Sequence, residues 1–392
     1  MIDDTPLVEV ARPAGENLPF IPRRFQAGGR LEIADSAGIQ NTFITTCVLC
    51  GGVIAGEEAS LEHPLPQWLH KYAGDVGERK ASAFRVSETI QPTWRQLSLN
   101  SHKECNRLFA RKIEDPSITA VKAMVDGGRL TWTQLDAAFD WLDKIKSASA
   151  HMATALRGHN IRLGYGDISF PNKRVGAFDR LAIIYRISDG RPPLDLWDCL
   201  NDGFLTTPSA ITLRVKDLVI VYSSSNFLLS TAFGLGKSMN QNGSATYIPG
   251  AGIFAPGFGT RFCRIPSAKI LAQPMRRQYQ KEGWLDHSPA LQKNGDGRVY
   301  ELIGSRWIRV RSCDFSVLPK LNSRLGYALA ALETVEWIIL SKEQDEARYG
   351  TPESFFLKSL PALHDEKRQL IKYVTDLRGG LPISESDRTT GP

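Results

Sequence analysis

The chain has 392 residues, which is long enough for two or three domains with their own cores. Of these residues 42% are hydrophobic and 23% are charged, a composition that excludes disordered and collagen-like proteins. No apolar run approaches the length of a membrane span, and the acidic start of the chain is unlike a secretory signal. The net charge of +6 is uneven: residues 1–150 carry 17 Lys and Arg against 19 Asp and Glu, and the remainder carries 31 against 23.

The charge distribution indicates which kind of partner the chain could bind, and the cysteine spacing indicates the cellular compartment. The basic surplus beyond residue 150 favours either attraction to a polyanion or an ordinary solvated surface, and both readings stand. The six cysteines are not spaced like a disulfide framework, so a cytoplasmic location is expected.

Residues 1–46 are expected to form an extended N-terminal segment. Pro6, Pro13, Pro19 and Pro22 recur through it, and each proline removes a backbone donor and interrupts a helix. Residues 42–48 predict a strand that leads into the first cysteine pair.

Two pairs of metal-binding side chains follow this segment. Cys47 and Cys50 are separated by two residues, and His102 and Cys105 repeat that spacing. Two such pairs complete the tetrahedral shell that Zn²⁺ prefers. The sequence thus predicts a structural zinc site, whose binding contributes on the order of 10 kcal/mol to folding. Buried free thiols, with His102 on a loop, are the alternative.

Between the two pairs lies a Glu-His dipeptide. Hydrolysis of a phosphodiester needs a base that deprotonates water and a hard cation that offsets charge on the phosphate. His63 suits the base, and the side-chain oxygens of Glu62 and Asn106 suit Mg²⁺ or Mn²⁺. A Glu-His pair alone is more often a surface pair, but its place inside the zinc frame favours catalysis.

A helix is predicted over residues 106–114, ending before Pro116 because the residue before a proline disfavours helical backbone. Arg107, Arg111 and Lys112 lie along it, beside the predicted cation. We expect these three side chains to contact nucleic-acid phosphate.

Together the patterns C-x-x-C-G, E-H-x-x-P-x-W-L and C-N-x-x-x-x-x-x-I-E resemble the HNH endonucleases. The resemblance covers residues 47–114 and is closest to a group of bacterial and phage proteins with this module near the N-terminus. It implies a ββα-metal fold in which His63 is the general base and Glu62 and Asn106 hold the catalytic cation. The ligands of the structural zinc would be Cys47, Cys50, His102 and Cys105.

Two positions depart from the family pattern. His102 stands where the family usually has Cys, and the position of the middle Asn falls on Leu97, with Asn100 as the nearest alternative. Glu114 matches an acid that the family often has, and we expect it to support the site rather than to bind the metal.

The rest of the chain changes pattern twice. Apolar residues at helical spacing predict a long helix from about Trp132 to Gly158, as core or as an interdomain strut. Strands are then predicted at residues 181–187, 211–222 (one or two strands), 227–233, 300–303 and 307–310. The stretch FGLGKS lacks the first Gly of a phosphate-binding loop, which excludes that motif. Two helices, over about residues 323–343 and 361–377, close the chain.

The sequence therefore predicts an α+β protein with an N-terminal zinc-stabilised ββα-metal (HNH) module and a mixed α/β C-terminal domain. The expected divisions are an extended segment (1–46), the module (47–130), a helical connector (131–178) and the C-terminal domain (179–392). The expected activity is metal-dependent cleavage of nucleic acid, above all DNA, in a setting such as bacterial or phage defence.

Other roles stay open. The C-terminal domain is a candidate for substrate recognition, homo-oligomerisation or sensing of a small-molecule effector. The alternative to an enzyme is a non-catalytic zinc-binding module that binds DNA or another partner.

Overall fold

The structure is a computed structural model of an α+β protein. It describes residues 25–27, 30–32, 43–45, 47, 54, 58–75, 93–156, 179–188, 193–197, 209–225, 237–239, 245–246, 253–254, 268–273, 299–303, 306–349 and 360–379. Within these ranges no helix is both long enough and apolar enough to cross a membrane. The strand predicted at residues 227–233 lies outside the described residues.

The N-terminal part is built on a three-stranded sheet with β5 in its centre. Strand β5 pairs in parallel with β1 on one side and antiparallel with β4 on the other. The elements are β1 (Phe25–Ala27), β2 (Arg30–Glu32), β3 (Phe43–Thr45), β4 (Ala59–Glu62), α1 (Gln67–Ala73), a 3₁₀ turn (Trp94–Gln96), β5 (Leu97–His102), α2 (Lys103–Phe109), a π turn (Ala110–Glu114), α3 (Asp115–Val125), β6 (Arg129–Thr131) and α4 (Trp132–Leu156). Because β1 joins this sheet, part of the predicted N-terminal segment belongs to the same unit as the candidate site.

The prediction that the helix after β5 ends before Pro116 is wrong. The helix continues through the π turn into α3. Pro116 has no N–H and its ring crowds the preceding turn, and the wider π turn provides the space that an α-helical turn lacks. Ser117 Oγ lies 2.8 Å from the carbonyl oxygens of both Ile113 and Glu114, so its hydroxyl donates back to the turn that precedes it.

The C-terminal part is organised on a larger sheet. Among the described residues nine strands form it, in the order β13-β16-β15-β14-β7-β10-β9-β8, antiparallel throughout, with β18 paired in parallel to the end of β7. The elements are β7 (Asp179–Ile187), β8 (Leu194–Trp197), β9 (Ser209–Val215), β10 (Leu218–Ser225), β11 (Lys237–Met239), β12 (Ala245–Thr246), β13 (Ile253–Phe254), β14 (Lys269–Gln273), β15 (Tyr300–Ile303), β16 (Arg306–Arg309), β17 (Ser312–Asp314), β18 (Lys320–Leu321), α5 (Ser323–Tyr349) and α6 (Leu360–Leu377).

Strand β7 shows why this sheet is covered on both faces. Ile183 and Tyr185 point into a cluster that contains residues of α5, whereas Ala182 and Ile184 point into the cluster that contains α4. Side chains alternate between the two faces of a strand, so a strand buried on both faces reads as one continuous apolar run. The apolar run predicted as a strand at residues 181–187 is confirmed in this central position.

A buried polar network joins α4 to this sheet. Arg180 of β7 is 1% exposed at its side chain and pairs with Asp140 and Asp143 of α4. Asp143 also accepts a 2.6 Å hydrogen bond from Tyr222 of β10, and Gln273 of β14 accepts one of 2.8 Å from Arg180. The network satisfies the buried guanidinium, which would otherwise carry a large desolvation cost.

The two parts of the chain share one core. A single apolar cluster contains Leu69 and Phe109 from the N-terminal part, Leu142 from α4 and Leu213 from the large sheet. In addition, β17 of the C-terminal part pairs with β6 of the N-terminal part in a two-stranded antiparallel sheet. Described residues of the predicted module, connector and C-terminal domain thus contribute to one apolar cluster, and the domain division stays a prediction.

Candidate active site and metal centre

Two antiparallel strands and the helix that follows them frame the candidate site. Strand β4 ends at Glu62 and is followed by His63, while β5 ends at His102 and leads directly into α2. The register places Ala59 opposite His102. The start of β4 thus lies beside a predicted zinc ligand, and its end carries the predicted catalytic residues.

His63 is oriented by a backbone group of β5. Its Nδ1 lies 2.9 Å from the carbonyl oxygen of Leu97. A carbonyl oxygen only accepts hydrogen bonds, so Nδ1 carries the proton and the lone pair of the neutral imidazole is on Nε2. Leu97 occupies the position where the family pattern has its middle Asn, and its main chain makes this contact without an amide side chain. Asn100 lies further along β5, opposite Leu61.

Asn106 connects α2 to β4. Its Nδ2 donates hydrogen bonds to Ser60 Oγ at 3.0 Å and to the carbonyl oxygen of Leu61 at 3.1 Å. These bonds fix the helix against the strand that carries Glu62 and His63. The amide nitrogen is therefore used for structure, and Oδ1 is the oxygen through which Asn106 would bind a cation.

Three of the four predicted zinc ligands lie together. The donor atoms of Cys47, His102 and Cys105 are all within 4.8 Å of one another, with Cys105 Sγ at 3.8 Å from His102 Nδ1. Tetrahedral Zn²⁺ with one sulfur and one nitrogen ligand places those atoms about 3.6 Å apart. The group can therefore hold a metal ion such as Zn²⁺.

The surroundings of this group also suit a metal. Cys47 is completely buried, and its Sγ accepts a hydrogen bond from the backbone N–H of His102 at 3.3 Å. Such a bond orients a thiolate ligand and stabilises its charge. Cys50, the fourth predicted ligand, lies outside the described residues.

Glu62 contacts a lysine that the sequence analysis did not select. Its carboxylate forms an ion pair with Lys144 of α4, and Lys144 Nζ also lies 2.7 Å from Glu114 Oε1. The same ammonium donates to the carbonyl oxygen of His63 at 3.1 Å. The exposed fractions of the Lys144 and Glu62 side chains are only 2% and 7%.

Burial and the ion pair shift the pKa of each partner in opposite directions. Burial raises the pKa of Glu62, although attraction to Lys144 opposes it. Burial alone would lower the pKa of Lys144, but the Glu62 and Glu114 carboxylates outweigh it, so the pKa of this lysine is raised. The ammonium form is therefore the one that is held between the two glutamates.

A divalent cation on Glu62 would compete with Lys144 for the same carboxylate. The carboxylate is buried and bound to Lys144, and a second positive charge beside Nζ would be repelled strongly at short range. Glu114 contacts the same ammonium, so it is linked to Glu62 through Lys144, and its supporting role stays a prediction. The role of Glu62 and Asn106 as ligands of Mg²⁺ or Mn²⁺ stays a prediction.

The residues predicted to contact nucleic acid are on the helix that carries Asn106. Arg107, Arg111 and Lys112 are all exposed. Arg107 pairs with Glu104 one turn earlier, at 2.8 Å, and both side chains are largely solvent-accessible. An exposed pair of this kind is weak and can open to a phosphate.

Lys144 had a detectable signal in the sequence. It falls three residues after Trp141 and four before Ala148, both on the buried face of α4. A lysine at an interior position of an apolar helix needs an acidic partner. Helical periodicity shows that position but not the partner, which is distant in the chain.

The chain matches no known protein-family model, no curated protein and no solved structure. The resemblance to HNH endonucleases therefore rests on the motifs and stays a prediction.

Proposed function

We propose that this protein is a metal-dependent HNH-type endonuclease that hydrolyses phosphodiester bonds of nucleic acid, above all of DNA. The observation that carries the proposal is the contact between His63 Nδ1 and the carbonyl oxygen of Leu97. It fixes the tautomer whose Nε2 can accept a proton from water, which is the state that a general base requires.

The chemistry of the proposal follows from that lone pair. His63 Nε2 takes a proton from water, the resulting hydroxide attacks phosphorus, and the bond to the leaving oxygen breaks as that oxygen takes a proton from solvent water. Asn106 fixes α2 against β4 and so supports the backbone of the base. The exposed Arg107, Arg111 and Lys112 supply positive charge for the phosphate backbone.

The test is cleavage of plasmid DNA by the full chain with Mg²⁺ or Mn²⁺. We expect His63→Ala to lower the rate by about 10²–10⁴, because a positioned base contributes about that much. His364→Ala, a histidine of α6, is the matched control and should keep the parent rate. If His63→Ala cleaves at the parent rate, His63 is not the base.

A second candidate is a non-catalytic zinc module that binds nucleic acid. The observation that favours it is the engagement of Glu62 by Lys144, which removes a carboxylate from metal binding. This candidate predicts DNA binding that weakens steeply with salt and no cleavage with either metal. Parent protein that is folded, loaded with zinc and inactive on DNA and RNA would favour it.

A further inference from the structure

We propose that the Lys144 ammonium is the counter-ion of the Glu62 carboxylate and that Lys144 is a positioning residue for His63. Pairing with Glu62 is independent of any activity, whereas the positioning role rests on the proposed function. The inference concerns a residue that lies outside the HNH motifs, on the helix that the sequence predicted as core or strut.

The contacts of the ammonium group carry the first step. A lysine ammonium has three N–H donors. Nζ of Lys144 contacts three oxygens, which belong to the Glu62 carboxylate, the Glu114 carboxylate and the His63 main chain. Each donor therefore has its own acceptor, which a buried charge requires. The ring of Phe109, with its centroid 5.3 Å from Nζ, covers the group further.

The second step concerns the backbone at the end of β4. Lys144 holds the carboxylate of Glu62 and the carbonyl oxygen of His63, two consecutive residues, from the side of α4. Leu97 holds the imidazole ring of His63 from the side of β5. The main chain and the ring of His63 are thus held from two sides, so loss of Lys144 should release the main chain and thereby shift the ring away from the Leu97 carbonyl oxygen.

The third step is competition with a metal. A cation bound by Glu62 must displace the Lys144 ammonium from the same oxygen or lie beside it. Both require separation of a pair that is almost completely buried, with side-chain exposures of 2% and 7%. The Glu62 carboxylate is therefore occupied by the Lys144 ammonium, and a catalytic cation would use other ligands.

The pairing between Lys144 and Glu62 is tested by titrating the zinc-loaded full chain with Mn²⁺ and measuring the bound Mn²⁺ by electron paramagnetic resonance. We expect Glu62→Gln to leave the Mn²⁺ dissociation constant within about twofold of the parent value, since this carboxylate is already occupied. Lys144→Met should tighten Mn²⁺ binding about tenfold or more, because it leaves two adjacent carboxylates without their cation. Weakening by about tenfold or more in Glu62→Gln would overturn the pairing, since it would make Glu62 a metal ligand.

The positioning role is tested with a variant that keeps the charge balance. Lys144→Met alone leaves two buried carboxylates unpaired and is expected to lower the melting temperature. Combining Lys144→Met with Glu62→Gln and Glu114→Gln removes all three charges, so the melting temperature should recover. The bond to the His63 carbonyl oxygen is still missing in this triple variant.

The readout for positioning is the ¹⁵N spectrum of the His63 ring, together with kcat and KM. We expect the folded triple variant to lose the uniform Nδ1–H signature and to lower kcat at least about tenfold at similar KM. A parent-like ring spectrum in the folded triple variant would overturn the positioning role. If the parent does not cleave nucleic acid, the proposed function fails, but the Mn²⁺ and ring measurements still decide the role of Lys144.

Discussion

Asp143 and Lys144 are neighbours in α4, yet their side chains make buried ion pairs with different parts of the chain. Asp143 pairs with Arg180 in the large sheet, and Lys144 pairs with Glu62 and Glu114 at the candidate active site. One turn of helix therefore connects the site to the sheet. The segment predicted as a connector is a central element of the structure, because it contacts Arg180 of the large sheet and Glu62 at the end of β4.

The buried pair on the sheet side predicts a stability effect. Arg180→Met removes the cation that faces Asp140 and Asp143, and we expect the free energy of unfolding to fall by about 3–5 kcal/mol. Urea denaturation of the full chain measures it. Arg368→Met is the matched control, because Arg368 pairs with Asp365 on the exposed surface of α6, and we expect a change within about 0.5 kcal/mol. Equal stabilities for the two variants would contradict the assigned role of the network.

Metal analysis tests the zinc centre. The purified chain should contain about one zinc ion, and His102→Ala and Cys105→Ser should each lose it and unfold at lower temperature. Cys313→Ser is the control, because that buried cysteine lies in β17 and outside the metal-binding group. Elemental analysis combined with thermal unfolding measures both properties. Folded parent protein without any zinc would contradict the metal assignment.

Tyr72 predicts a pH dependence of stability with a definite sign. Its hydroxyl donates to Asp126 Oδ1 at 2.6 Å. This bond lowers the pKa of Asp126, and the resulting stabilisation is present above the unfolded-state pKa and is lost as pH falls through the folded-state value. Burial, and then the same bond, raises the pKa of Tyr72, so its contribution is present below the unfolded-state pKa and is lost as pH rises through the folded-state value.

The variant that tests this is Tyr72→Phe. We expect the parent to exceed it in free energy of unfolding most strongly near about pH 7, and by less near about pH 3 and pH 11. Denaturant unfolding at the three pH values gives the difference. Tyr373→Phe on the exposed face of α6 is the control and should show no such maximum. A difference that is constant with pH would argue against the bond between Tyr72 and Asp126.

Cys313 should be chemically inert in the folded protein. Burial, and then the nearby Glu301 carboxylate, raise its pKa to about 12. At about pH 8 only about one thiol in ten thousand is then ionised, and the thiolate is the form that reacts with iodoacetamide. Mass spectrometry of alkylated peptides should show slow labelling of Cys313 in the native chain and fast labelling in urea. Equal labelling rates in both conditions would show that the thiol is accessible and ionised.

The sequence by itself determined the longest elements of the secondary structure. The long helix α4 was predicted from apolar periodicity and strand β7 from an apolar run, and both are confirmed close to the predicted bounds. Periodicity suffices here because a side chain's direction along one element depends only on local backbone geometry. The proximity of Cys47, His102 and Cys105 also followed from sequence, since equal spacing predicts ligands for one metal.

Only the tertiary structure decided what surrounds His63. The atom that orients the ring is the carbonyl oxygen of Leu97, a group that every residue possesses and that no sequence motif can mark. The partner of Glu62 is Lys144, which is distant in the chain and belongs to another element. Periodicity shows that Lys144 is interior, but its ammonium meets these oxygens only because α4 packs against the π turn and against β5, the neighbour of β4. Long-range contacts of this kind depend on how elements pack together, and local sequence does not encode that packing.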